Sequence, residues 1–332
     1  MRKLINDPDN IVDELIDGFV LANKDKVKRI KGTTAVARID APIKDKVGIV
    51  IGGGAGHEPL FIEYVGKGMA DAEAHGQIFT SPSSAVILEA IKAADAGKGV
   101  LLVYCNYAGD VLNFNAAQEI ARDEGIEVDT SLIYDDISSA PLDNKEDRRG
   151  TTATPIIIKI AGAASSTGMG LNELKGLVDT ASINSRSLGV SLSACTLPET
   201  GLATFTLEDG KMEFGMGLHG EAGIKKVDIM TADKTTETIL DLIIADLPFS
   251  EGDEVIALVN GYGSTTRMEM FIVARKIHQY LGQKGIDIYS TEIGEFCTSL
   301  EMAGMSITLI KLDDKIKEYY DMAADSSGYI KL

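Results

Sequence analysis

The chain has 332 residues, more than one hydrophobic core ordinarily serves, so two domains are expected. At 45% hydrophobic and 25% charged it has the make-up of a soluble globular protein. A formal net charge of −18 repels nucleic-acid phosphates and argues against direct DNA or RNA binding. Cys105, Cys195 and Cys297 are odd in number and far apart, so they make neither a disulfide framework nor a CxxC metal site, as suits a reducing cytoplasm. No apolar run approaches the ~20 residues of a membrane span. The start, Met1-Arg2-Lys3-Leu4-Ile5, is not that of a secretory signal, and a cytoplasmic location is expected.

In chain order, Asp9 or Asn10 can cap a helix whose apolar positions are Ile11, Val12, Leu15, Ile16, Phe19 and Val20. Residues 47–51 read as a buried strand, followed by the glycine-rich turn Gly52-Gly53-Gly54-Ala55-Gly56 and then His57-Glu58-Pro59. Such a turn lets backbone N–H groups approach a ligand, or serves only as tight punctuation. It is neither a full GxGxxG nor a Walker A sequence. A Ser/Pro cluster at 81–84 caps a helix over 85–96, and no GxSxG elbow is present. A second buried strand over 100–104 runs into Cys105-Asn106-Tyr107-Ala108-Gly109-Asp110. A helix near 114–123 and a strand over 128–134 follow.

Strands alternating with helices predict a parallel, βαβ-rich sheet, and ligands of such sheets sit beyond the carboxyl ends of strands. His57 and Asp110 both fall just past such ends. After a polar loop over 138–150 carrying Arg148-Arg149, helices are expected over 156–164 and 171–186. A strand over 188–192 and a hairpin of 204–207 with 211–214 come next. The stretch Gly215-Met216-Gly217-Leu218-His219-Gly220-Glu221 follows the hairpin. Further helices over 235–245 and 268–281, strands over 255–260, 286–289 and 305–311, and an acidic surface helix over 312–325 complete the pattern. The expected architecture is two α/β domains, each a mixed sheet flanked by helices. Residues 1–185 carry the glycine-rich loop, His57 and Asp110; residues 186–332 carry His219.

His75 and His278 read as structural or solvated. His57 and His219 each sit in a glycine-rich loop beside a glutamate, where histidine can act as acid, base or nucleophile. These two and Asp110 have the composition of a two-histidine, one-carboxylate metal site, but no local HxxxH spacing supports it and no metal is expected. Arg148-Arg149 could clamp phosphate or be a solvated pair.

Seven blocks running nearly end to end carry a resemblance. They are Gly52-Gly53-Gly54-Ala55-Gly56-His57-Glu58-Pro59 with Tyr64-Val65-Gly66-Lys67-Gly68-Met69, Phe79-Thr80-Ser81-Pro82, Asn106-Tyr107-Ala108-Gly109-Asp110-Val111-Leu112-Asn113-Phe114, Arg148-Arg149-Gly150, Cys195-Thr196-Leu197-Pro198, Gly217-Leu218-His219-Gly220-Glu221 and Cys297-Thr298-Ser299-Leu300. In these the chain resembles the K subunit family of phosphotransferase-dependent dihydroxyacetone kinases. The resemblance implies a homodimer of two-domain α/β subunits that captures dihydroxyacetone as a covalent hemiaminal on His219. It implies that His57 and Asp110 act on the triose hydroxyls as acid/base groups, and that backbone groups of Gly53 and Gly54 hold a hydroxyl. Phosphate would come from ADP on a separate L subunit, with no nucleotide or other cofactor on this chain.

The departures from that pattern point to loss of phosphoryl transfer. Cys105 stands where the family has a substrate-contacting lysine, and Ala55 and Ala108 replace Ser and Thr. Leu60-Phe61-Ile62-Glu63 replaces a small polar stretch, and Gly201-Leu202-Ala203 and Ala222 replace proline-containing sequences. Loss of the lysine removes positive charge near the transferring group. On that ground the resemblance is first to the family's coactivator branch, the DhaQ type, which binds dihydroxyacetone and pairs with a TetR-type DNA-binding regulator. The kinase K subunit with an ADP-bearing L subunit is the alternative.

Overall fold

The computed structural model describes residues 3–332. They divide into two units: one takes the chain up to Ile133 with Thr154–Thr180 and Lys315–Leu332, the other Tyr134–Ala153 and Ala181–Asp314. The units are therefore not the contiguous halves 1–185 and 186–332. Tyr134–Ala153 joins the later unit, and Lys315–Leu332 returns to the earlier one.

The earlier unit runs α1 (Ile11–Ala22), β1 (Val27–Arg29), β2 (Ala35–Arg38), β3 (Gly48–Ala55), β4 (Ala72–Ile78), α2 (Ser84–Ala94), β5 (Val100–Cys105), α3 (Ala108–Asp123) and β6 (Val128–Ile133). Next come α4 (Thr154–Ser166) and α5 (Leu171–Ile183), which leads out of the unit. Sheet order is β1-β2-β4-β3-β5-β6, with β3 to β6 parallel and β1 and β2 an antiparallel edge. The chain passes from β3 to β4 on one side and then to β5 on the other. Where the strand order reverses, between β3 and β5, an open parallel sheet leaves a crevice at its carboxyl edge.

One sheet face packs Val50, Ala72, Ala74, Val100, Leu102 and Tyr104 against Ile87, Ala90 and Ile91 of α2 and Phe114, Ala117 and Ala121 of α3. α4 is buried along nearly its whole length and packs near β3 and β5, which is the behaviour of a helix apolar all round. Its Lys159 is buried too, and Nζ donates to the Tyr319 carbonyl at 2.7 Å. Burial pulls that ammonium down to about 8, with Lys331 adding to the effect.

The later unit holds β7 (Ser185–Ser193), β8 (Lys211–Phe214), β9 (Lys225–Asp228), α6 (Ala232–Asp246), β10 (Glu254–Gly261), α7 (Arg267–Gln283), β11 (Asp287–Gly294) and β12 (Ala303–Lys311). The sheet order is β11-β10-β12-β7-β8-β9, and only β10 with β11 is parallel among these pairs. Ile239, Leu240 and Ile243 of α6 and Val273 and Ile277 of α7 cover Val255, Ala257, Val259, Ile307 and Leu309. Thr266 and Glu269 close a reciprocal capping box at the start of α7. The expected acidic helix over 312–325 is shorter, α8 (Asp314–Asp321), with Ile316 and Tyr320 buried. The pair β13 (Ala324–Asp325) and β14 (Ile330–Lys331) follows it. Among the described residues no helix is long and apolar enough to cross a membrane.

Arg148 is neither a solvated arginine nor one poised for phosphate. It is 1% exposed and forks onto Asp246, Nη1 to Oδ1 at 2.8 Å and Nη2 to Oδ2 at 2.6 Å, while Arg186 donates to the same carboxylate. Burial works against the Asp246 charge, but the bonds and charges of the two arginines outweigh it and hold its pKa below the ordinary 3.8. Removing one partner of a buried pair is costly, so Arg148→Ala should lower stability to urea by about 3 kcal/mol. The Asp246 contribution to wild-type stability should be complete above pH 4 and decline as pH falls through the depressed pKa.

Candidate functional site

The glycine run is strand rather than turn. β3 extends through Gly52, Gly53 and Gly54 to Ala55, paired with β4 from Val50 to Ala55, whereas its pairing with β5 covers Gly48 to Ile51. The turn begins at Gly56, whose φ of +94° is a region glycine enters without strain. The need for glycine inside the strand is steric. A Cβ on Gly53 would lie 2.1 Å from the Phe61 ring, and one on Gly54 2.6 Å from the Thr80 nitrogen. Phe61 belongs to the apolar Leu60-Phe61-Ile62 stretch, all buried, so that departure from the family pattern packs directly onto the glycines.

His57 follows the end of β3 and is buried. Its ring stacks on Phe79, with centroids 4.8 Å apart at 17°. Phe79 holds a φ of +54°, which is unusual for an aromatic residue and turns its ring toward the histidine. At the end of β5, Cys105 is buried and its Sγ lies 3.2 Å from the Thr154 hydroxyl of α4.

Asp110 is not in a loop. α3 starts at Ala108 after Tyr107 in an extended cap conformation, so Asp110 occupies the first helical turn, where the helix dipole favours a carboxylate. Gly109 and Asp110 together look like loop formers in sequence, and that concealed six residues of helix. Asn113, one turn on, donates to the Ser81 hydroxyl at 3.2 Å. The residue that caps α2 is Ser83, leaving Ser81 beside α3. His57, Cys105 and Asp110 thus come from the carboxyl ends of β3 and β5, the two strands that flank the reversal of strand order.

His219 lies in the later unit, in the connection between β8 and β9. The expected hairpin partner at 204–207 is not a strand; β8 pairs with β7 and β9. Gly217 accepts from the Gly220 N–H at 3.0 Å, and Gly220 takes a φ of +88°. Glu221 turns back on the histidine. Its Oε2 accepts the His219 backbone N–H at 3.0 Å, and its Oε1 lies 3.3 Å from Nδ1 of the ring. Arg149 stands 3.7 Å from Glu221 and is itself held by Asp136 at 2.8 Å. Burial disfavours the Glu221 charge, but the His219 bond, the ring and Arg149 outweigh it and bring the carboxyl down to about 2. A Cβ on Gly217 would meet Glu221 at 2.1 Å and Arg149 at 2.2 Å, so glycine is what lets the three approach. An Nδ1–H donated to a carboxylate leaves the Nε2 lone pair as the nucleophilic position of a neutral ring.

The other histidines part ways. His278 bonds the Thr291 hydroxyl at 2.8 Å on the exposed side of α7, whereas His75 is buried beside Glu73. The motif blocks contained Glu221, Arg149 and Phe79, but their roles were not visible in sequence.

A family model described as the Dak1 domain matches residues 17–328. The chain belongs to the Dak1 family. Among its relatives, a Listeria innocua protein named PTS-dependent dihydroxyacetone kinase 2, dihydroxyacetone-binding subunit DhaK, is 43% identical over 98% of each chain. The corresponding kinase 1 subunit of that organism is 41% identical over 95% of each chain. Among solved structures, the dihydroxyacetone kinase of C. freundii superposes with a TM-score of 0.92 at 32% identity; this Dak1 chain is covered to 99% and spans 60% of that one. A dihydroxyacetone kinase operon co-activator, DhaQ, superposes with a TM-score of 0.90 at 30% identity over 96% of this chain and 98% of its own. The family resemblance and the two-sheet α/β architecture expected from sequence both hold. The order of the two functional readings changes: the kinase-subunit reading is supported better than the coactivator reading that Cys105, Ala55 and Ala108 had put first.

Proposed function

We propose that this chain is the dihydroxyacetone-binding K subunit of a phosphotransferase-dependent dihydroxyacetone kinase. The observation that carries the reading is 43% identity across almost the full length of a subunit so named. The local chemistry supports it. The Nε2 lone pair of His219 attacks the ketone carbon, the C–N bond forms, and the carbonyl π pair moves to oxygen, which takes a proton. Loss of the Nδ1 proton then leaves a neutral hemiaminal. Glu221, anionic through the working pH range, stabilises the positive charge that develops on the ring during attack. A polyol without a carbonyl cannot form this bond, so glycerol is rejected by chemistry rather than by size.

In this reading His57 and Asp110 serve the hydroxyl that receives phosphate: Asp110 accepts its proton, while His57, the companion acid/base group, orients it. The Gly53 and Gly54 backbones hold a hydroxyl. The phosphoryl donor is ADP-bearing and sits on a separate L subunit, and the K chain works as a homodimer. Capture is tested by native mass spectrometry. Incubation with dihydroxyacetone should add one triose per chain, and glycerol should add nothing. Absence of the triose adduct on the wild type would remove the basis of this reading.

A second reading, the coactivator of a TetR-type regulator, is favoured by one observation. Cys105 is uncharged where the family pattern has lysine, and its Sγ is turned to Thr154. Both readings require the same capture of the triose and separate only at phosphoryl transfer and partner.

A further inference from the structure

β4 carries two ionisable side chains with almost no exposure, Glu73 at 0% and His75 at 1%. They alternate along the strand, so both project from one face, while Ala72 and Ala74 project from the other into the α2 and α3 core. Glu73 Oε1 lies 2.8 Å from His75 Nδ1. On the far side of the ring, His75 Nε2 lies 3.7 Å from Glu58 Oε1. That Glu58 oxygen also accepts the Gly56 backbone N–H at 3.0 Å. Gly56 and Glu58 are the two chain neighbours of His57. A string of contacts therefore runs from the middle of β4 into the turn that presents His57.

The long step in the string is the one from His75 to Glu58. At 3.7 Å it exceeds a hydrogen bond, so what acts across it is charge. Two carboxylates act on the ring: Glu73, on its own strand, and Glu58, in the turn. Glu63, on the short helix Ile62–Tyr64, faces Glu58 in turn. Burial and the charge of Glu58 raise the Glu63 pKa. Burial disfavours a charged His75, but Glu73 and then Glu58 outweigh it and raise the ring's pKa. Without a positive ring, Glu58 would face like charge on two sides. Its side chain is 28% exposed, so it has a route out to water that breaks its bond to Gly56.

We propose that His75 is a positioning residue for His57: backed by Glu73, its ring holds the Glu58 carboxylate, and Glu58 holds the turn through the Gly56 N–H. His57 thereby stays stacked on Phe79. The proposal rests on the reading of His57 as an acid/base group of the kinase subunit.

The test uses full-length wild type, H75Q, E58Q and the E58Q/H75Q double variant. Glutamine at 75 keeps a hydrogen-bond donor toward Glu73 and cannot carry the charge. Two quantities are measured: Gly56 amide hydrogen exchange by NMR, and kcat and KM for dihydroxyacetone with the partner subunit. In H75Q the Gly56 amide should exchange about tenfold faster, with the β3 amides unchanged. The same variant should lose about tenfold in kcat with a smaller change in KM. E58Q should reproduce both effects, and the double variant should be no worse than the poorer single, because the two act through one chain of contacts. Unchanged Gly56 exchange in H75Q, or additive losses in the double variant, would overturn the proposal. Should H75Q fail to fold, E58Q reads the same turn from a partly exposed position: unchanged Gly56 exchange there also overturns it. Gly56 exchange needs no ligand, so a wild type that neither captures nor phosphorylates the triose would refute the kinase reading while the exchange data still decide this one.

Discussion

Asp110→Asn should leave dihydroxyacetone capture nearly intact and reduce phosphoryl transfer by about 10³-fold, within the usual 10²–10⁴ of a lost general base. Asp110 sits in the first turn of α3, just past the end of β5. Asparagine fits that position sterically and keeps an oxygen and a donor for a substrate hydroxyl, so binding should weaken by less than about tenfold. It cannot accept a proton at neutral pH, so the transition state for attack on phosphorus loses its base. The fall should appear in kcat, with KM little changed, in an assay that couples dihydroxyacetone phosphate to its reduction. Equal losses in kcat and in triose binding would instead make Asp110 a binding group only.

His219→Gln should abolish the covalent adduct and with it the discrimination between dihydroxyacetone and glycerol, a change of about 10³-fold in relative affinity. Glutamine retains polarity but has no lone pair that adds to a ketone. The contact to Glu221 gives a graded companion test, since Glu221→Gln keeps the shape and removes the charge opposite Nδ1. Capture should slow by up to about 10⁴-fold, the loss seen when the carboxylate behind a basic histidine is neutralised. The sign of the pH dependence follows from the depressed carboxyl. Its folded value of about 2 lies below the ordinary 4.5, so the Glu221 charge is fully present above pH 5 and is lost only as pH falls toward 2. A decline in wild-type capture between pH 9 and pH 5 therefore does not belong to Glu221, and stopped-flow traces of Glu221→Gln should show the same decline on a lower baseline.

The buried central strands were legible because they are short apolar runs bounded by glycine or polar residues, as in β3, β5 and β10. β4 was not, because its sequence Ala72-Glu73-Ala74-His75-Gly76-Gln77-Ile78 places two ionisable residues on a buried face and alanines on the other. Nothing in a local pattern separates that from a solvated loop; only the Glu73–His75 pairing makes it affordable inside a sheet. The start of α3 was missed for a related reason: Gly109 hid a helix that begins at Ala108. His57, Asp110 and His219 stood out through their glycine neighbours and their place past strand ends. What lay beyond sequence was the support around them. Arg149 and Glu221 are 72 positions apart in the chain and meet only through folding. The packing of Phe61 on Gly53 and of Phe79 on His57 depends likewise on backbone approach. The coactivator reading was put first on local departures such as Cys105, Ala55 and Ala108, whereas the likeness to kinase subunits extends over almost the whole chain and favours the alternative.

Phosphoryl transfer in a reconstituted system tests the central claim most directly. The purified chain is combined with an ADP-loaded L-type subunit and a phosphorylated phosphotransferase donor, and dihydroxyacetone phosphate is measured against time. The expected result is sustained product formation proportional to the concentration of this chain and slowed about 10³-fold with Asp110→Asn. Full occupancy by dihydroxyacetone with no phosphorylated product would contradict it and place the chain with the ligand-sensing coactivators.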